Sequence, residues 1–319
     1  GYYDDEEQAS RLYKELRSIQ YQLFAVSPHD DEAEVIRLSA ERTRIRRQLN
    51  ELWVDCRDQL QVRALYDGDR IDPWEPFMTI EGPQQYFAYL ETVLLGVLAR
   101  PTATATATAK VVNAARGKPI IFFPARFDHY WVQATDGYAA MKAGAFGVST
   151  DANADYWGAQ GSGTIPHALI GAYSGSTSAA CLAFDRQIDV AVNRIALVDW
   201  DNDCIGTTLE VVKAFYKAYY GENAEDATQW HRVIGSGKHQ LWGVRFDTSG
   251  TLRDQSVVPH DRSSLGVCPE LVYRARDTFD RHGLQQLRII VSGGFDAERI
   301  EMFENLAVPV DVYGVGSSL

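Results

Sequence analysis

Residues 287–300 read Leu-Arg-Ile-Ile-Val-Ser-Gly-Gly-Phe-Asp-Ala-Glu-Arg-Ile. The apolar run Leu287–Ser292 suits a strand buried on both faces, and the segment Asp296–Leu306 behind it suits a helix. Two glycines stand between them, the punctuation of a tight strand-to-helix turn. The same unit recurs on either side. Apolar runs at Ile120–Phe123, Phe146–Ser149, Ile195–Asp199, Leu241–Asp247 and Val310–Gly314 predict further parallel strands, and helices are predicted over Asp136–Ala143, Thr207–Tyr220 and Pro269–His282. The strands run out into polar or small residues: Arg126, Asp199, Arg245 with Asp247, Ser292-Gly293-Gly294, and Gly314-Val315-Gly316. An α/β barrel builds its site at strand carboxyl ends. A doubly wound sheet does the same, so the pattern leaves both open. No GxGxxG opens a helix and no GxxxxGK[ST] occurs, which weakens dinucleotide and P-loop readings.

Upstream the texture differs. Segments 5–25 and 30–60 read as helices; in the second, Val35, Ile36, Leu38, Ile45, Leu49, Leu52 and Trp53 recur at helical spacing behind Asp30 and Asp31 as caps. Short strands are expected at Gln61–Tyr66 and Pro76–Glu81, then a helix from Gln84 to Leu98. The tract Thr102–Ala109 alternates Thr and Ala, which permits a strand or a linker. It runs directly into Lys110–Arg116 with a Gly117 stop, so a closely packed buried helix is favoured.

The chain has 319 residues, enough for a barrel with a smaller partner domain. Its 31 Lys and Arg stand against 43 Asp and Glu, a net −12 that argues against nucleic acid as a partner. The four cysteines are far apart without a CxxC pair, which disfavours a disulfide framework or structural zinc and makes reduced thiols the expectation. No apolar stretch follows a basic segment at the N-terminus. Residues 156–184 lack Asp, Glu, Lys and Arg altogether and are long enough to span a bilayer, but Pro166 and His167 break the stretch and it is crowded with Gly, Ser and Thr; buried loop and helix is the reading, not a membrane span. A soluble cytoplasmic protein is expected.

Four clusters carry possible chemistry, each with a plainer alternative. Phe122–Arg126 puts an aromatic and an Arg at a strand end, or simply a buried ring and a surface ion pair. Gly161–Ala168 approaches His167 through glycines and Thr164, which exposes backbone N–H groups to an anion; a lone His is more often structural. Leu197–Asp203 and Gly243–Gly250 offer carboxylates for Mg²⁺ or sugar hydroxyls and an Arg for a carboxylate or phosphate. Helix capping by Asp203 and turn formation by Asp247 explain them equally well. Ser292–Asp296 and Gly314–Ser318 follow the last two strands, where a barrel places a phosphate site and where a Cβ would block the approach; ordinary tight turns are the alternative.

In order, Gly163-Thr-Ile-Pro-His-Ala-Leu-Ile170, Val198-Asp199, Gly243-Val-Arg-Phe-Asp247, Val291-Ser-Gly-Gly-Phe-Asp296 and Val312-Tyr-Gly-Val-Gly-Ser317 resemble the nicotinate phosphoribosyltransferases, as do Glu81-Gly82-Pro83, Glu91–Leu95 and Ala103–Thr106. The resemblance spans about residues 60–319. It implies an irregular α/β barrel of the type II phosphoribosyltransferase kind, with a smaller α+β sandwich domain and N-terminal helices. Residues 1–100 would hold the helices and sandwich, and residues 101–319 the barrel and active site. It implies phosphoribosyl transfer from phosphoribosyl pyrophosphate (PRPP) to nicotinate, in NAD biosynthesis, by a homodimer with the site near its interface, with Mg²⁺ and with ATP as co-substrate.

Carried over by position, the resemblance implies that Phe123 stacks on the pyridine ring and that Arg126 and Arg245 face the base carboxylate or pyrophosphate. His167 matches the histidine phosphorylated by ATP. Asp199 and Asp247 match acidic positions near ribose, base and Mg²⁺. Gly293, Gly294, Gly316 and Ser317 match the 5′-phosphate cradle, and Ser292 and Thr164 are expected to bind substrate. Pro124 stands where the family usually has Gly, and Phe127 where it often has a second Arg. Tyr2 and Tyr3 do not match the Asp-x-Tyr segment that supplies a ring-stacking Tyr across the dimer. The family continues beyond the second glycine turn, so these residues are expected to be part of a longer protein. Nicotinamide or quinolinate as the base, and a catalytically inactive binding homologue, are the alternatives. A Schiff-base lyase is disfavoured because none of the lysines falls at a predicted strand end.

Overall fold

The computed structural model describes residues 1–26, 31–221 and 223–319. The proposed cap Asp30 lies outside the described residues. The chain divides into two compact units, Gly1–Gly96 and Val97–Leu319.

In the first unit, β1 (Tyr2–Tyr3) leads into α1 (Glu6–Ala25) and α2 (Glu32–Leu52), followed by β2 (Trp53–Val54), β3 (Gln61–Ala64) and β4 (Met78–Glu81). The carboxylates of Asp5 and Asp31 accept from the third backbone N–H beyond them and so cap the two helices. Ala9, Leu12, Leu16 and Ile19, three or four apart, bury one face of α1 against Leu38, Ile45 and Leu49 of α2. α2 ends at Leu52 rather than near residue 60. Trp53 and Val54 leave the helix to pair antiparallel with Tyr3 and Tyr2, and the Trp53 ring meets the Tyr3 ring edge-on at 5.0 Å. An aromatic and a β-branched residue gain more from this ribbon than from another helical turn. β3 and β4 pair antiparallel, from Gln61↔Glu81 to Ala64↔Met78.

The helix expected over Gln84–Leu98 is instead two 3₁₀ turns, then α3 (Glu91–Ala114), which passes through Pro101 and the whole Thr-Ala tract. Thr104, Thr108 and Val111 form its buried stripe, so the period-two alternation conceals a helical spacing of four and three.

The second unit runs β5 (Ile120–Phe122), α4 (Gln133–Lys142), β6 (Gly147–Val148), α5 (Asp151–Ala154), α6 (His167–Ala172), α7 (Thr177–Gln187), β7 (Ile195–Leu197), α8 (Cys204–Tyr219), β8 (Gly243–Phe246), α9 (Pro269–Arg281), β9 (Arg288–Val291), α10 (Ala297–Asn305) and β10 (Val312–Val315). Every expected strand of the α/β half is present. They form one six-stranded sheet in the order β6-β5-β10-β9-β8-β7, parallel throughout. Successive residues alternate between its faces. Ile121, Ile195, Ile290 and Val312 cluster on one, with Phe123 and Trp242 against them. Ala196, Val244, Phe246, Ile289, Val291, Tyr313 and Val315 lie on the other, under Val211, Phe215, Leu271, Phe279 and Phe303 of the helices. Burial on both faces is why the strands read as unbroken apolar runs.

β6 and β7 are not paired with each other. Residues 161–165 span between them: Ser162 N–H donates to Val148 O at 2.6 Å, and Ile165 N–H donates to Ile195 O at 3.3 Å. This irregular segment closes the barrel and delivers the chain to His167. The charge-free stretch 156–184 therefore forms the seam and two short helices, and no described helix is long and apolar enough to cross a membrane.

At the amino ends of the strands, Arg194 and Asp185 are fully buried and joined at 2.8 Å. Burial pushes the Asp185 carboxyl up, but hydrogen bonds from His239, Tyr219 and Arg194 outweigh it and hold the group at about 2. This end of the barrel is structural, so the chemistry is sought at the other.

Candidate active site

Along β8, Gly243, Arg245 and Asp247 follow one another at every second position and so share the face turned away from the helices. Arg245 Nη1 donates to Ser292 Oγ at 3.1 Å and lies 3.2 Å from Asp247 Oδ2. Ser292 Oγ stands 2.7 Å from Asp247 Oδ1, which makes a closed Arg–Ser–Asp triangle at the carboxyl ends of β8 and β9. The guanidinium carbon sits 5.7 Å from the centroid of the Phe123 ring. Burial pulls the Arg245 pKa below its ordinary value; Asp247 and Asp199 oppose this and Arg126 adds to it. Arg245 Nε is buried with no hydrogen-bond partner among the described residues. A charged, dry side chain with a free donor is poised for an anion.

Phe123 continues β5, donating its N–H to Val315 O at 2.7 Å. Its ring lies directly over Gly314, where a Cβ would come within 2.6 Å of a ring carbon. Close approach, rather than backbone freedom, requires that glycine. The same holds at Gly316, whose Cβ would stand 3.0 Å from the Phe127 ring and 3.2 Å from Phe123 O. Gly293 and Gly294 differ: both are left-handed, with φ of +86° and +75°.

His167 is the first residue of α6, and its Nε2 lies 3.1 and 3.2 Å from the two carboxylate oxygens of Asp199 at the end of β7. Asp199 is buried, whereas the imidazole is half-exposed with the Trp200 ring 6.3 Å away. Arg126 is exposed beside Phe127 and has no ion-pair partner among the described residues. Thr164 is half-buried in the seam and Ser317 is exposed past β10; neither makes a side-chain hydrogen bond among the described residues.

The structure thus joins Phe123, Arg245, Asp247 and Ser292 in one network and His167 with Asp199 in a second. Asp203 takes the plainer reading, capping α8 by accepting from Gly206 N–H at 2.9 Å. Asp247 is bound to Arg245 and Ser292 rather than serving only a turn. Three residues escaped the sequence reading. Trp200 flanks His167; Asp254, buried, accepts from Cys204 N–H at 2.8 Å and anchors the start of α8. Arg299 hydrogen-bonds back to Gly293 O and Gly294 O. Only Arg299 left a trace, one helical turn beyond the glycine pair.

No protein-family model matches the chain. A nicotinate phosphoribosyltransferase of Mycobacterium tuberculosis is 28% identical over 257 residues, 79% of this chain and 48% of the relative. A second from that organism is 28% identical over 263 residues, 81% and 48% of the respective chains. The chain spans about half the length of the curated relatives it matches. Among solved structures, nicotinate-nucleotide pyrophosphorylase from Pyrococcus furiosus superposes with a TM-score of 0.65 at 30% identity, covering 82% of this chain and 57% of that one. Human nicotinic acid phosphoribosyltransferase superposes at 0.57 with 18% identity, over 94% and 61%, a likeness of fold.

Proposed function

We propose that this chain, a homologue of the nicotinate phosphoribosyltransferases, transfers the 5-phosphoribosyl group of PRPP to nicotinate in pyridine-nucleotide salvage toward NAD. The observation that carries the reading is Arg245, a buried guanidinium beside an aromatic ring with Nε left unpaired. A buried donor without an acceptor is costly unless a ligand supplies one. A pyridine carboxylate supplies that acceptor together with a flat face for Phe123.

In the proposed reaction the pyridine nitrogen attacks C1 of the ribose as the C1–O bond breaks, and the electron pair leaves with pyrophosphate. Positive charge develops on the sugar, and Asp247, fixed by Arg245 and Ser292, presents a carboxylate to it. Ser292, Gly293, Gly294, Gly316 and Ser317 would receive the 5′-phosphate, and Arg126 and Thr164 the pyrophosphate. No cluster of three or more potential metal-binding side chains occurs among the described residues. Asp199 and Asp247 would hold a magnesium ion, a hard cation that takes carboxylate together with phosphate oxygens, and it would supply neutralising charge for the pyrophosphate leaving group.

ATP is the proposed co-substrate. Asp199 accepts from His167 Nε2–H, which leaves the Nδ1 lone pair to attack the γ-phosphorus as ADP departs. The phosphohistidine adds negative charge beside the site. The working unit is proposed to be a cytoplasmic homodimer; the four cysteines are free and buried, as suits a reducing compartment.

The test is pyrophosphate release from PRPP and Mg²⁺ with nicotinate, nicotinamide or quinolinate in turn. Nicotinate alone should support appreciable turnover. Preference for another base would reassign the substrate, and inactivity of folded protein toward all three would make it a binding homologue.

A further inference from the structure

Arg299 is itself assigned no contact with substrate, yet its guanidinium holds the backbone of the Gly293–Gly294 turn that is. Its Nη1 donates to Gly294 O at 3.1 Å and to Gly293 O at 3.4 Å, and its Nη2 donates to Val267 O at 2.8 Å. The guanidinium lies 4.6 Å from the Phe295 ring centroid. The next carbonyl, Phe295 O, is taken by Ser318 Oγ at 2.8 Å. Three successive carbonyls of the β9–α10 turn are therefore held by side chains.

Every peptide of this turn is trans, and in a trans peptide the N–H points opposite to the C=O. Clamping the carbonyls of Gly293, Gly294 and Phe295 therefore turns the N–H groups of Gly294, Phe295 and Asp296 the other way. None of these N–H groups donates to a protein group among the described residues. Successive free N–H groups on a left-handed glycine turn form an anion-binding concavity. The two glycines would otherwise sample many conformations, since neither has a Cβ to restrict it.

We infer that Arg299 is a positioning residue that sets the Gly293–Gly294 turn so its free N–H groups converge on the 5′-phosphate of PRPP. This rests on the phosphoribosyl-transfer reading above. Lysine in its place would bring a single nitrogen to the Gly293 and Gly294 carbonyls but could not also hold Val267 O, because the ammonium lacks the planar fork.

The test uses the full chain and calorimetric titration with PRPP, beside the nicotinate KM and the melting temperature. Arg299→Met should weaken PRPP binding by about tenfold or more, the scale of losing charge-assisted hydrogen bonds, while the nicotinate KM moves less than about twofold. Arg299→Lys should recover part of the loss. Ser318→Ala, which frees Phe295 O by an independent route, should weaken PRPP in the same selective way. A folded Arg299→Met protein that binds PRPP like the wild type would overturn the role, leaving a brace only. If Arg299→Met fails to fold, unchanged PRPP affinity in both Arg299→Lys and Ser318→Ala overturns it instead. Wild-type protein that binds no PRPP refutes the functional reading itself, and this role falls with it.

Discussion

Gly314→Ala isolates one steric contact at the centre of the site. Gly314 is absent from the positive-φ positions, so alanine meets no backbone penalty there. The added Cβ would stand 2.6 and 2.7 Å from two carbons of the Phe123 ring and 3.3 Å from Ser292 Cβ. Carbon atoms in contact settle near 3.6 Å, so the ring must retreat by about 1 Å. Overpacking of this kind costs about 1–3 kcal/mol. For a unit of this size that is a fall in Tm of about 2–10 °C. The functional loss should be larger than the stability loss. Phe123 is the proposed stacking face for the base and lies 5.7 Å from the Arg245 guanidinium. A displacement of about 1 Å there is expected to cut kcat/KM for nicotinate about 100-fold. Steady-state kinetics and thermal melting measure the two effects side by side. Phe123→Leu/Gly314→Ala should show strong coupling in a double-mutant cycle, because leucine removes the ring the Cβ meets. Wild-type kcat/KM in Gly314→Ala, or simple additivity in the cycle, would refute the argument that this contact places the ring.

Three further outcomes follow from the same geometry. His167→Ala should abolish ATP-stimulated turnover and leave slow ATP-independent transfer, measured as nucleotide formed with and without ATP; unchanged stimulation would remove His167 from the phosphoryl step. Arg245→Ala should raise the nicotinate KM by about 100-fold, as expected when a buried charged partner is lost, with a smaller proportional effect on Tm. Asp185→Asn should destabilise the fold by about 3–5 kcal/mol, because Arg194 stays buried without its counter-charge, while kcat/KM in the surviving folded protein is unchanged. Since the native Asp185 carboxyl sits at about 2, below the ordinary 3.8, its contribution is present above about pH 4 and is lost as pH falls through about 2; acid denaturation of Asp185→Asn should lack that component.

The parallel α/β half was legible because its strands are buried on both faces, so each appeared as an apolar run ended by polar or small residues, whereas the choice of a barrel over a doubly wound sheet rested on the family resemblance. The run Gly243-Val-Arg-Phe-Asp247 put Arg245 and Asp247 at a strand's carboxyl end. What the sequence concealed were long-range choices. Nothing local says that Trp53 and Val54 would abandon α2 for Tyr2 and Tyr3, which lie fifty residues earlier. The Thr-Ala tract alternates by two yet buries by helical spacing, since Thr and Ala are small enough for either pattern. The seam formed by residues 161–165 has no strand signature, because it contributes single hydrogen bonds to two different strands. Arg299 drew no reading from the sequence, and only the carbonyls it holds distinguish it.

A structure with nicotinate mononucleotide bound tests the central claim most directly. The pyridine ring should stack on Phe123 with its carboxylate accepting from Arg245 Nε, and the phosphate should meet the N–H groups of the Gly293–Gly294 turn. A nucleotide bound elsewhere, or one that leaves Arg245 Nε unpaired, would contradict the account.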